Sequence, residues 1–174
     1  DAQESRGLGD VYKRQAEGMT VRGVHEVMSG LLVRKGCLTK NRPDKQAEAD
    51  IRRGVEVALA LGRLDVGQAA VVQQGLVLAV EGIEGTDELL RRSGGYKRKG
   101  AGGVLVKLRK PQQDMRIDLP TVGLQTVKRA KESGLRGIAV HAGNGLIVDE
   151  AEVVRLADKE GLFVIGVDPS DYAE

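Results

Sequence analysis

The apolar stretches of this chain are short, and each is stopped within a few residues by Gly, Pro or a charged cluster: residues 69–72, 76–80, 104–108, 137–140, 145–148 and 162–167. Runs of that length, rich in Val, Leu and Ile, fit buried strands and are too short for core helices. Aromatic residues make up only 2% of the chain, so a core built on these runs is aliphatic. The spacing also predicts a hairpin, with 69–72 and 76–80 flanking the turn Gln73-Gln74-Gly75.

Helical periodicity lies between the strands. Ile51, Val55, Ala58 and Leu59 fall at i, i+4, i+7 and i+8 of a helix over 45–62, with Gly62 available to end it. A short helix is expected from Thr86, its hydroxyl capping 87–92. Another spans 123–133 and closes at Gly134. Residues 137–140 and 145–148 read as two strands around a Gly-Asn-Gly turn. Asp149 and Glu152 resemble a capping box opening a helix that carries Val153, Leu156 and Ala157. Strands and helices mix without strict alternation, so the expected class is α+β: a mixed sheet with several flanking helices.

The chain divides unevenly. Residues 1–15 have no apolar periodicity; they read either as translated adapter sequence foreign to the protein or as a disordered native terminus. Residues 16–43 contain too little apolar sequence to fold alone and read as the remnant of an upstream domain plus a linker. A compact unit over 44–168 and a tail over 169–174 complete the division.

Charge and composition exclude several classes. The net charge of +2 is too balanced to demand a polyanionic partner, and the scarcity of aromatics argues against base stacking, so no nucleic acid is expected. One cysteine, Cys37, excludes an internal disulfide framework and fits a reducing compartment. His25 and His141 are isolated from each other and from Cys37, which leaves no thiolate or imidazole zinc set. No run approaches the roughly 18 apolar residues of a membrane span, and no secretory leader opens the sequence. A cytoplasmic location is the expectation.

Four polar segments end apolar runs, where a scaffold usually places functional groups. Asp65-Val66-Gly67-Gln68 either closes a turn or contributes ligands. In 81–87, Glu84-Gly85-Thr86-Asp87 is a helix start favoured by the dipole, or an anion site in which Glu81 and Glu84 help hold a metal. Lys107 and Lys110 can neutralise phosphate oxygens as point charges. Asp114 and Asp118, bracketed by Pro111 and Pro120, share one face of an extended chain. There they can bind Mg²⁺, activate a water, or simply decorate a solvated turn. The loop 94–103, with Tyr96-Lys97-Arg98-Lys99, fails the P-loop pattern because Ala101 follows Gly100. It reads as a mobile surface loop, or as a basic module for anionic lipid.

Taken in order, His25-Glu26-Val27, Leu64-Asp65-Val66-Gly67-Gln68, Val80-Glu81-Gly82-Ile83-Glu84-Gly85-Thr86-Asp87, Gly103-Val104-Leu105-Val106-Lys107, Lys110-Pro111-Gln112-Gln113-Asp114 and Arg116-Ile117-Asp118-Leu119-Pro120-Thr121-Val122-Gly123 resemble the LpxI-type UDP-2,3-diacylglucosamine diphosphatases. The resemblance implies Mg²⁺-dependent hydrolysis of UDP-2,3-diacylglucosamine to UMP and 2,3-diacylglucosamine 1-phosphate in lipid A biosynthesis. It implies a family-specific C-terminal catalytic domain over 44–168, and an N-terminal Rossmann-like nucleotide-binding domain that this chain does not contain. Without that domain the chain is expected to be weak or inactive. The resemblance places the essential aspartate at Asp118 or Asp114. Lys107, Lys110, Gln113, Thr86, Gly85 and Gln68 would contact substrate, and Asp118, Asp114, Glu84 and Asp65 would hold the metal. Peripheral contact with the inner membrane follows from a lipid substrate. The competing classes are a non-enzymatic basic module binding anionic lipid or nucleic acid and a metal-dependent phosphoesterase acting on another substrate.

Overall fold

A computed structural model describes residues 12–17, 29–111 and 119–172. In chain order its principal elements are β1 (Gly36–Cys37), α1 (Lys45–Arg63), β2 (Ala69–Gln73), β3 (Leu76–Val80), α2 (Gly85–Ser93), β4 (Val104–Lys107), β5 (Thr121–Val122), α3 (Leu124–Glu132), β6 (Gly137–His141), β7 (Leu146–Ile147), α4 (Glu150–Glu160) and β8 (Phe163–Val167). Residues 12–16 form a further short helical stretch.

Six strands make one mixed sheet in the order β1-β8-β6-β4-β2-β3. Its three central strands, β4, β6 and β8, are parallel, and helices α3 and α4 lie on the chain between them. β1 and β2 run antiparallel to their neighbours, and β3 returns from β2 as the expected hairpin. The architecture is α+β, as the mixture of runs predicts.

Both faces of the sheet are covered, which is why the central strands read as unbroken apolar runs rather than alternating ones. On one face Ile51, Val55 and Ala58 of α1 pack against Val104, Val106, Ala139 and Phe163. On the other, Leu89 and Leu90 of α2, Val127 and Ala130 of α3, and Val153 and Ala157 of α4 cover Val71, Leu105, Ile138 and Val164. Gly54 lets α1 approach closely: a Cβ there would meet Val106 Cγ2 at 2.3 Å. The chain's single phenylalanine, Phe163, lies across Gly137 in the same way.

Residues 29–43 are built into this unit. Val33 is 1% exposed and exchanges backbone hydrogen bonds with Gly145 and Gly143, while β1 pairs with β8.

Three local expectations are corrected. Thr86 does not cap α2; the N-cap is Glu84, and the Thr86 hydroxyl donates to the Glu81 carboxylate instead. Asp149 precedes α4 in the left-handed region at φ 56°, makes no capping bond, and Glu152 pairs with Arg155. A capping side chain reaches the first-turn amides from an extended backbone, which Asp149 lacks. Finally, β6 and β7 do not pair: β7 joins β5 in a separate two-stranded parallel ribbon.

Candidate functional site

In a sheet with parallel central strands, the loops at their carboxyl ends converge on one edge. Here β4 ends at Lys107 and β6 at His141, with Lys107 level with Val140. The hairpin contributes to the same edge in the opposite sense. Ala69, the first residue of β2, lies opposite Lys107, and β3 ends at Val80 opposite Ala70. The segments 65–68, 81–87 and 107–110, distant in sequence, therefore share one edge with Thr121.

Two lysines are buried there. Lys107 is 8% exposed and Lys110 7%. The Lys107 ammonium donates to the Thr121 carbonyl at 3.2 Å, and Lys110 Nζ pairs with Asp65 Oδ1 at 2.8 Å. Asp65 also ends α1. It takes a left-handed φ of 56°, which aspartate tolerates better than most side chains, and its amide returns to Gly62. The lysine hydrogen bond, acting against desolvation, holds the Asp65 carboxyl below the usual aspartate range.

Glu81 continues β3 by one residue and is 6% exposed. It falls on the face that carries Lys107, with Ala69 between them. One oxygen accepts the Thr86 hydroxyl at 3.2 Å; the other, Oε2, is buried with no hydrogen-bond donor. Burial pushes this carboxyl up, against the nearby Lys107 charge and the hydrogen bonds from Thr86 and the Gln68 amide. Gly67 is needed for the approach, because a Cβ there would meet the Glu81 carbonyl oxygen at 2.1 Å. The Gln68 side-chain oxygen is likewise buried without a partner.

Glu84 turns away from this cluster. Its carboxylate pairs with Arg92 at 2.6 Å and accepts the Gly82 amide. The Arg92 hydrogen bond lowers its pKa. Gly85, at φ 79°, and Thr86 open α2 at the same edge, so the positive end of that helix faces it. His141 accepts the Arg109 amide on Nδ1 at 3.3 Å, and burial followed by the Arg109 charge lowers its pKa.

Of the ten residues expected at a site, Asp65, Gln68, Glu84, Gly85, Thr86, Lys107 and Lys110 lie along this edge. Gln113, Asp114 and Asp118 fall outside the described residues. Among the described residues no three His, Cys, Asp or Glu side chains come together as a metal site. Asp65 and Glu84, each engaged by a cation, do not make one by themselves. Glu81 is not among those ten, although the reading of 81–87 as an anion site weighed it with Glu84 as a metal ligand; it stands in phase with the inward-facing Ala79, directly after an apolar run.

The basic loop is elsewhere. Gln73, fully buried, bonds the carbonyls of Arg98 and Ala101 and the Arg98 amide, pinning the loop beside the opposite end of β4. It is held in place, and the sheet separates it from Lys107. Among the described residues no helix is long and apolar enough to cross a membrane.

Residues 34–165 match the family model of the LpxI C-terminal domain. The chain is also 47% identical, over 163 residues, to the UDP-2,3-diacylglucosamine pyrophosphatase LpxI of Caulobacter vibrioides. That alignment covers 90% of this chain and 58% of the relative, so the chain spans little more than half of the relative's length. The chain belongs to the LpxI family, and what it holds is the family's C-terminal domain.

Proposed function

We propose that this domain is the phosphate-handling half of a UDP-2,3-diacylglucosamine diphosphatase. It would hydrolyse the diphosphate to UMP and 2,3-diacylglucosamine 1-phosphate, with Mg²⁺, in lipid A biosynthesis. The observation that carries the reading is the pair of buried lysines at the carboxyl edge of the parallel strands, beside the start of α2. The name of the Caulobacter vibrioides relative supplies the substrate class.

Diphosphate hydrolysis is chiefly a matter of placing a water and neutralising charge on the phosphates. Lys107 and Lys110 are suited to the second task. Their burial lowers the local dielectric and strengthens each charge. Gly85 and Thr86 add backbone amides at a helix start, a common anion seat. Asp114 and Asp118 remain the proposed water-orienting and metal-binding carboxylates, on the strength of the motif alone. The proposal includes a nucleotide-binding domain upstream, a cytoplasmic site of action and peripheral contact with the inner membrane.

The test is release of UMP from UDP-2,3-diacylglucosamine, with the chain alone and with the chain joined to the upstream segment of its Caulobacter vibrioides relative. The joined protein is expected to turn over and the chain alone to be weak or inactive. In the joined protein, Lys107→Met should lower turnover by about 10²–10³-fold, the scale of losing one charge-stabilising group. Asp118→Asn or Asp114→Asn should abolish turnover with little change in thermal melt. Full activity of the chain alone, or normal turnover in both aspartate variants, defeats the reading.

A further inference from the structure

Lys107 and Lys110 leave the phosphate edge short of positive charge. The Lys110 ammonium is matched by Asp65 at 2.8 Å, and Lys107 faces the Glu81 carboxyl. A diphosphate diester carries a negative charge on each phosphorus, so a site for one calls for a further cation. The end of β4 holds it. The Leu108 amide donates to the Gln68 carbonyl, toward β2, and the Arg109 amide donates to His141 Nδ1, at the end of β6. These two bonds fix the Arg109 backbone between the strand ends, two residues beyond Lys107. The side chain is half-buried, and its Nε is buried with no hydrogen-bond acceptor. A guanidinium keeps its proton, so this is a permanently charged donor. Burying such a donor without an acceptor is costly, and a ligand that brings the acceptor removes the cost.

We propose that Arg109 is the fork of this edge: its Nε–H and one terminal N–H donate to two oxygens of a single phosphoryl group. The inference rests on the reading of this edge as a phosphate site. It adds a residue to that site and a geometry to the contact. Lys107 and Lys110 are compact charges on flexible stems, which attract a phosphate without fixing its orientation. The planar guanidinium presents parallel donors matched to two phosphate oxygens, and so sets how the group is turned as well as where it lies. Its backbone, pinned by His141, supplies the rigid base that such a contact needs. A lysine at this position would keep the charge and lose the fork.

Inorganic phosphate is the probe, titrated at neutral pH into the isotopically labelled chain. The signals followed are the Arg109 Nε–H, assigned by through-bond correlation to the Arg109 amide, and the amides of Leu108 and Thr86. Phosphate is expected to move the Nε–H signal together with the two amides, with one common affinity. In Arg109→Lys that affinity should fall about tenfold, the worth of one charge-assisted hydrogen bond. Lys97→Gln, at the opposite end of β4, should bind as the unmodified chain does. Acetate should bind more weakly than phosphate, because the lysines around the fork favour the more highly charged group. Amides that respond while the Nε–H signal stays still overturn the inference and leave the phosphate site standing. So does an Arg109→Lys variant, its spectrum otherwise intact, that binds phosphate as tightly as before, since charge alone would then suffice. Acetate binding as tightly as phosphate assigns the fork to carboxylates and overturns it too. If Arg109→Lys fails to fold, the Nε–H signal of the unmodified chain decides. Phosphate that moves none of these signals overturns the phosphate reading, and this inference with it.

Discussion

Asp65 and Glu81 stand at one edge of the sheet and are pushed in opposite directions. Lys110 holds the Asp65 carboxyl low, so its contribution to stability is present above the ordinary aspartate range and lost as pH falls through the lowered value. Burial holds Glu81 high, so its contribution is fully present below the ordinary glutamate range and lost as pH rises through the raised value. Two substitutions should separate these effects. Asp65→Asn is expected to cost roughly 1–3 kcal/mol at neutral pH by removing the carboxylate charge that faces the buried Lys110 ammonium, less than for a fully buried pair because Asp65 is partly exposed. Denaturant midpoints measured against pH would show the loss shrinking in acid. Glu81→Gln is expected to raise the melting temperature at neutral pH and to leave it nearly unchanged in acid. A lower neutral-pH melt in that variant would mean that the ionised form stabilises the fold.

Single elements show where periodicity is informative and where it misleads. The hairpin, α1 and the strands β4, β6, β7 and β8 were legible within a residue or two, because runs buried on both faces or spaced by helical turns leave a direct trace, whereas the two-residue strands β1 and β5 leave none. The caps of α2 and α4 were not. Thr86 and Asp149 have the right chemistry for a cap, but one is drawn to Glu81 and the other lies in the left-handed region. Sequence spacing shows neither competitor. Gly54 offers a sharp test at this scale. In an isolated helix Gly→Ala is favourable by about 1 kcal/mol. Here the added methyl would drive into Val106, so Gly54→Ala should instead destabilise by about 1–3 kcal/mol, the usual range for overpacking. Adding Val106→Ala should recover part of the loss in a double-mutant cycle. Gln73→Ala should likewise cost about 1–3 kcal/mol, by leaving buried loop groups unpaired. Hydrogen exchange at the Arg98 amide, which donates to the Gln73 side chain, should speed up with it.

For the molecule as a whole, the sequence yielded the polar segments but not their convergence. Asp65 and Lys110 are far apart along the chain, and only strand order brings them to 2.8 Å. Equally, Lys97–Lys99 looked close to the lysines in sequence, yet β4 runs between them and carries them to opposite ends. The entry of the chain matters in another respect. β1 begins opposite Gly166, at the end of the sheet where Lys107 and His141 finish their strands. Just before it, Val33 is sewn to Gly143 and Gly145, and Lys35 pairs with Asp171. The described chain thus enters at the end of the sheet that carries Lys107, not at the opposite end. A short connection between two segments gives one an effective concentration on the order of millimolar at the other. Anything joined ahead of this edge would meet it as an intramolecular event.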